Sequence, residues 1–274
     1  MTTAADRPDR TTPDYTFDNN HPNQADRHAA LAGILDEFTA SRLASLGDLS
    51  GRRCLELGAG VGSIAGWLAD QAGPAGEVLA TDLNTRHLHP DRGYAVMAHD
   101  LTTDPIPDGP WDLIHARLVL SWLPEPENIL RRLAAVLAPG GTLAIEEWDD
   151  TYPTGHVLTV PEPEAAAMFN AYQATLKQIL AADGLDLGWA WQMHAAMTTA
   201  GLVDIDTVVH AKSWPGGSPG AMLHAASIDQ LAGKFVAAGM TEQQLHRLRA
   251  HLRDPKMVLR GMLTISTIGR RAAA

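Results

Sequence analysis

The run Arg52–Asp70, RRCLELGAGVGSIAGWLAD, constrains this chain more than any other stretch. It predicts a buried strand (CLEL), a glycine-rich turn carrying Gly58, Gly60 and Gly62, and a helix opening at about Ser63. Glycine lets backbone N–H groups approach a ligand closely, because no Cβ stands in the way and positive φ is allowed. The helix N-terminus points at the same spot and favours a carboxylate or phosphate there. About 24 residues past Gly58 a second apolar run, VLATDLN, contains Asp82. An acidic residue at the tip of the second strand is where a doubly wound fold hydrogen-bonds a ribose. The pattern points to a nucleoside-bearing cofactor.

Composition narrows the partners. At 274 residues, 45% of them hydrophobic and seven of them Trp, the chain can bury a large α/β core with an elaboration. Its net charge is −11 and its basic residues form no stripe. A nucleic-acid partner would want a positive face, so a small molecule is expected instead. The single cysteine, Cys54, lies in the first apolar strand, where an inert core thiol is expected. One cysteine makes no internal disulfide, which suits a reducing cytoplasm. The first residues are polar and contain Pro, without the apolar core of a signal peptide. No run approaches the roughly 18 apolar residues of a membrane span. The expectation is a cytoplasmic protein with no membrane partner, its state open between monomer and homodimer.

The order of elements gives the fold class. Residues 1–13 are expected to form a flexible tail, and 14–50 a helical leader or lid. In that leader Ala30, Leu31, Ile34, Leu35, Phe38 and Leu43 recur at helical spacing. After the first strand and helix come EVLATDL, YAVMAHDL, WDLIHARLVL and TLAIEEW as strands two to five. PENILRRLAAVLAPGG is a helix between four and five, ended by Pro139 and the Gly140–Gly141 pair. Strands alternating with helices imply a mostly parallel sheet with right-handed crossovers. Two further helical stretches, about 161–183 and GWAWQMHAAMTTAG, precede a sixth strand, LVDIDTVVHAKSW. Another helical insert leads to a seventh strand, MLTISTIGRR.

The glycine spacing chooses among nucleoside cofactors. The dinucleotide fingerprint is G-x-G-x-x-G, whereas here it is G-x-G-x-G, with Ser63 at the third fingerprint position. Glu56 sits two residues before the first glycine. The arrangement E-x-G-x-G-x-G resembles motif I of the class I S-adenosylmethionine (SAM)-dependent methyltransferases. An acidic residue there suits the ammonium of SAM and would repel a pyrophosphate. The resemblance implies a Rossmann-like, doubly wound, seven-stranded α/β sheet over 51–271, its last strand antiparallel between strands five and six. It places helical substrate-binding inserts at about 155–187 and 216–256. The segments YTFDN, DLIHARLVLSWLPEP and IEEWDD resemble a bacterial subgroup acting on small molecules and natural products, in secondary metabolism.

The same resemblance implies roles for individual residues. Gly58 and Gly60, with Gly62, would face the methionine part of SAM, and Asp82 would accept from the ribose hydroxyls. Leu83 would pack on the adenine, Asp100 would bind its exocyclic amine and Leu101 would offer a backbone N–H. His115 and Arg117, ending strand four, would lie beneath the cofactor. Tyr15 would fold over its methionine end. For Asp82 a turn cap on Asn84 is the plain alternative; for Asp100, a surface turn; for Arg117, a structural ion pair.

An in-line methyl displacement mainly needs alignment of the nucleophile. A general base is needed only where the acceptor must lose a proton early. Candidates at the end of strand five are Glu146, Glu147, Trp148 and Asp149, with His156 beyond; Glu147, Trp148 and His156 are preferred. Alternation along the strand means that Glu146 and Glu147 cannot both face the site. Trp148 also offers an aromatic wall. Trp189 and Trp191 are expected mainly in the core. No metal site is expected: His87-x-His89 sits in a polar loop, and Asp149–Asp150 lacks the Asp–Asn pair of a metal-dependent catechol-type enzyme. The reading is transfer of methyl to O, N or C of a small, apolar or aromatic metabolite. One alternative is a protein that binds SAM without transferring methyl. The other, an NAD(P)-dependent oxidoreductase, predicts a glycine at position 63 and a Tyr-x-x-x-Lys set, and the sequence has neither.

Overall fold

The computed structural model describes residues 16–17, 24–151 and 156–273. A long helix, α1 (Gln24–Ala44), precedes β1 (Arg53–Leu57), α2 (Ser63–Ala72), β2 (Glu77–Asp82), β3 (Ala95–Ala98), β4 (Trp111–Arg117), α3 (Pro126–Ala135) and β5 (Leu137–Asp149). These strands pair in parallel in the order β3-β2-β1-β4-β5. After α5 (Trp189–Thr199), β7 (Val203–His210) forms the far edge of the sheet, and β10 (Leu263–Arg270) inserts between β5 and β7, antiparallel to both. This is the expected doubly wound, seven-stranded sheet with its last strand reversed.

Both faces of the sheet are covered, as continuous apolar strands require. Leu55, Leu57, Ile114, Leu143 and Ile145 pack under α3 and α5 through Ile129, Leu130, Leu133, Trp189, Met193 and Met197. Cys54, Val78, Leu113 and Ala144 meet Ile64 and Leu68 of α2 and Leu43 of α1 on the other face. Burial pushes the Cys54 thiol up to about 12, which makes it an inert core group. Trp189 is fully buried, whereas Trp191 on the same helix is exposed.

The remaining elements form a third core above one end of the sheet. They are β6 (Val157–Thr159), α4 (Pro163–Ala182), β8 (Ser213–Pro215), α6 (Pro219–Ala237), α7 (Glu242–His251) and β9 (Val258–Arg260). Phe169, Tyr172 and Leu176 of α4 interlock with Ile228, Leu231 and Phe235 of α6 and with Leu245 and Leu248 of α7. β6, β9 and β8 make a small antiparallel sheet that the sequence reading does not contain. The expected sixth strand therefore divides: β7 stays in the main sheet, and Ser213–Pro215 leaves it to pair with β9.

Two more expectations are corrected. The helix before strand five stops at Ala135, and Leu137 already pairs with Trp111. Pro139 and the two glycines sit in an irregular start of β5, because proline cannot extend the helix. The alternation of strand and helix also lapses at the β3 edge. The β2–β3 connection carries only the 3-10 turns Thr85–His87 and Pro90–Arg92, and no helix separates β3 from β4. Among the described residues no helix is long and apolar enough to cross a membrane.

Candidate active site

A cavity of about 1070 Å³ opens where β1, β2, β4 and β5 end, beneath α1, α4 and α6. Pockets for one drug-sized ligand run to roughly 300–1,000 Å³, so this one has room for a cofactor and a second molecule. It lies at the carboxyl edge of the strands, where open α/β sheets bind ligands.

The turn after β1 builds one half. Gly58, Gly60 and Gly62 all have positive φ (62°, 58° and 77°), the region that favours glycine. Their surroundings differ. A Cβ on Gly58 would collide with Val119, and one on Gly62 with the Tyr94 hydroxyl, whereas Gly60 has open space before it. Gly58 and Gly60 line the cavity; Gly62 does not, and serves the packing of the turn instead. Asp82 knots this loop to β2: its Oδ2 accepts from Gly60 N (2.9 Å) and its Oδ1 from Asn84 N (2.9 Å). Burial raises its pKa, against the pull of those N–H groups. The Leu83 N–H also donates to this carboxylate; with about four acceptor positions in all, one is left for a ligand. Leu83, beside it, is 54% exposed on the cavity wall. Asp100 and Leu101 line the same half. Asp100 Oδ1 accepts from Thr102 N (2.9 Å) and Oγ1 (2.6 Å). Burial raises its pKa, and these bonds outweigh it, so the carboxyl titrates below its ordinary range.

Beneath that half runs a chain of polar contacts. Glu56 Oε2 meets His115 Nδ1 at 2.7 Å, and Glu146 Oε2 lies 3.9 Å from Nε2 on the other side of the ring, an ion-pair distance. Thr39 of α1 donates to Glu146 Oε2 (2.5 Å) and accepts from Arg117 Nη1 (2.9 Å). Arg117 Nη2 reaches Asp36 Oδ1 (2.8 Å), which also accepts from Ser63 Oγ (3.2 Å). His115 has no exposed surface. Burial opposes its charge, but the two carboxylates prevail and push its pKa up to about 9. An imidazolium is thus locked between β1 and β5.

The other half takes its polar groups from the end of β5 and from α1, α4 and α6. Glu147 faces this side, but its carboxylate is fully engaged. Oε1 accepts from the N–H groups of Val119 (3.0 Å), Leu120 (2.7 Å) and Ser121 (3.3 Å), and Oε2 from Ser121 Oγ (2.9 Å). Trp148 lines the cavity and donates through Nε1 to Thr264 (3.1 Å). Asp149 caps Thr151. Asp150 is the exception: it lines the cavity half-buried and makes no hydrogen bond or ion pair among the described residues. Burial raises its pKa to about 7; Lys177 of α4 opposes the shift and Asp149 adds to it. Farther in, Arg27 lies 3.5 Å from the centroid of the Phe17 ring and donates to Ser227 (3.2 Å). His224 touches the Tyr172 hydroxyl (3.3 Å), and burial depresses its pKa to about 3, so the ring is neutral.

The family of proteins described as a methyltransferase domain matches residues 24–201, well over half the chain. The chain belongs to this family. Segments of it are similar to methyltransferase str2 of Strobilurus tenacellus, 37% identical over 36% of each chain. They are also similar to trans-aconitate 2-methyltransferase of Methylobacterium nodulans, 39% identical over 38% of this chain and 40% of the relative. The matches thus span less than half the length of these curated relatives. The fold resembles phosphoethanolamine N-methyltransferase 2 of Haemonchus contortus, solved with S-adenosyl-L-methionine (TM-score 0.56, 14% identity, 93% of this chain and 59% of that one). It also resembles the YcgJ protein of Bacillus subtilis (TM-score 0.54, 12% identity, 87% and 100%).

Within this methyltransferase domain the cavity gathers Glu56, Gly58, Gly60, Asp82, Leu83, Asp100, Leu101, Arg117, Glu147 and Trp148 of the residues the sequence reading chose. It does not gather three others. Gly62 packs on Tyr94; His115 lies below the floor between two glutamates; and His156 is buried beside the small sheet, its Nδ1 2.9 Å from Arg260 Nη2 and its carbonyl accepting from Arg260 N. Tyr15 and the 1–13 tail lie outside the described residues. His87 faces the cavity and contacts Arg86, and no cluster of three or more metal-ligating side chains occurs among the described residues. The sequence reading missed Asp150, Lys177 and Arg27 as lining groups. The position of Asp150, immediately past strand five, was a usable signal for it; Arg27 and Lys177 sit in ordinary helical patterns and carried none.

Proposed function

We propose that this methyltransferase domain binds SAM in the Gly58–Asp82–Asp100 half of the cavity and methylates O, N or C of a small molecule held in the other half. When bound, the cofactor supplies an electrophilic methyl group. The observation that carries the reading is the Asp82 knot: a half-buried carboxylate on the cavity wall that fixes the glycine loop through Gly60 while keeping an acceptor position for a ribose hydroxyl. Asp100 would take the adenine amine, with Leu83 against the ring and the Leu101 backbone beside it. Glu56 would face the ammonium and Arg117 the carboxylate of the methionine end, each held by a partner that keeps it aimed.

In the second half Asp150 takes the role given above to Glu147 and His156. It would receive the proton of a hydroxyl, amine or acidic carbon as the new bond to carbon forms. Its titration near 7 suits that task at neutral pH. Trp148 supplies an apolar wall. The inserts bearing α4 and α6 would close over the acceptor and exclude water. The acidic balance of the chain suits a small acceptor rather than nucleic acid, and its single buried cysteine suits the cytoplasm.

Calorimetric titration with SAM, S-adenosylhomocysteine and NADPH tests the cofactor. Binding of both sulfur nucleosides, and none of the nicotinamide, is expected. Binding of NADPH alone would refute the assignment.

A further inference from the structure

We propose that Glu147 is a positioning residue for the cofactor: by gathering the N–H groups of Val119, Leu120 and Ser121 it holds the turn after β4 against the glycine loop. The inference rests on the reading that the glycine-loop half of the cavity, which this turn borders through Val119 and Gly58, takes SAM.

The turn is one the backbone would not keep unaided. Leu118 has φ 57°, a conformation that disfavours a residue with a Cβ and persists only where its surroundings over-determine it. The Leu118 N–H is taken by the Glu146 carbonyl (2.8 Å), and the next three N–H groups converge on one oxygen of Glu147. Those donors are backbone groups at the edge of a buried strand end, and without the carboxylate they would go unpaired. The turn in turn shapes the site. Leu118, Val119 and Ser121 line the cavity, and Val119 packs so closely on Gly58 that no Cβ fits between them. A shift of Val119 would therefore release the first glycine of the loop.

Glu147 has no exposed surface, and its register partner on β10 is the apolar Ile265. Of the titratable groups on its side, Asp149 is held by Thr151. Asp186, whose N–H donates to the Ser121 carbonyl (2.8 Å), is held by Gly188 N. Asp150 and Lys177 line the same cavity, while His115 and Glu146 lie on the opposite face of the sheet. Burial raises Glu147 to about 7 against the pull of its four donors. Near neutrality the group thus alternates between two forms. The carboxylate accepts all four bonds as charge-assisted ones, whereas the acid donates from Oε2 to a reversed Ser121 hydroxyl and holds the three N–H groups only through a neutral carbonyl oxygen, a weaker grip on the turn. A ligand that needs the turn in place favours the carboxylate and expels the proton.

The probe is S-adenosylhomocysteine, which binds without reacting, titrated calorimetrically into wild type and Glu147→Gln. Titrations run from pH 6 to pH 8, in pairs of buffers with different ionisation enthalpies. Affinity of the wild type, relative to the variant at each pH, is expected to rise about fivefold over that range, as a fall of Glu147 from about 7 to about 6 on binding requires. At pH 7 the wild type should release a fraction of a proton that Glu147→Gln does not. Parallel pH profiles, or equal proton release, would overturn the proposal. Asp150→Asn provides a second check needing no change at Glu147: release that persists there supports Glu147, and release that vanishes assigns the proton to Asp150 and overturns it. Failure of the wild type to bind the probe at any pH would instead refute the cofactor reading and, with it, this inference. Binding without proton release would refute the role of Glu147 alone.

Discussion

Below the cofactor half of the cavity, charged and polar groups hold one another: Glu56 on His115, Glu146 on Thr39, Arg117 on Asp36, Asp82 on Gly60. Around the acceptor half the walls are set by the packing of Phe169, Tyr172, Ile228 and Phe235 in a separate apolar core. Hydrogen bonds and ion pairs are directional and costly to leave unmade; apolar burial is non-directional and tolerates replacements of similar volume. A site that must grip one invariant molecule suits the first construction. A site that must accept a particular metabolite, and be remade for another, suits the second.

The most severe test of that contrast is Asp150→Asn. It should slow methyl transfer to a proton-bearing acceptor by about 10²–10⁴-fold while changing cofactor affinity less than about twofold; an equal loss of cofactor binding would merge the two halves. Next is His115→Ala. It leaves Glu56 and Glu146 buried without their cation and should cost about 3–5 kcal/mol in denaturant unfolding. The wild type adds a pH signature. Because the folded pKa of His115 is raised to about 9, its stabilisation is full below the ordinary value of 6.5 and is lost as pH rises through about 9. The melting temperature should fall over that interval and do so less in His115→Gln. Phe235→Ala opens a hole in the third core and should likewise cost about 3–5 kcal/mol. If the halves are separable, S-adenosylhomocysteine affinity at low temperature survives it; its loss would show that the third core also supports the glycine loop. The smallest effect expected is that of Asp82→Ala, about 1–3 kcal/mol of cofactor affinity from lost hydrogen bonds, with thermal unfolding of the third core unchanged.

The contrast also explains what could be foreseen from the residues. Gly58, Gly60 and Asp82 occupy fixed steps along a strand–turn–helix–strand unit, so their meeting is a local consequence of chain geometry. The mostly parallel sheet follows from the same alternation, whereas the reversed last strand between β5 and β7 was foreseeable only through the family resemblance. Asp150, Lys177 and Arg27 come from three distant segments, and their approach depends on how α1, α4 and α6 pack; no spacing encodes it. The small sheet of β6, β9 and β8 escaped for another reason. Three residues per strand are too few to show alternation, and Trp214 reads as the end of the longer sixth strand before it. His115 was expected beneath the cofactor and Glu147 as a candidate base, but which face each takes, and what it meets there, needed the register.

One helix belongs to both constructions. The first turns of α1 present Arg27, His28 and Leu31 to the cavity, while its later turns are fastened to the sheet through Asp36, Thr39 and Arg42, the last reaching Asp206 at 2.8 Å and Ser266 at 3.1 Å. Its first turns are held in their turn by α6, which α1 packs against and which Arg27 reaches through Ser227, so the helix is a beam supported at both ends rather than a hinged cover. Such a beam ties the two constructions together: a change in how α6 packs reaches, through one stiff helix, the turns that hold Arg117 and Glu146.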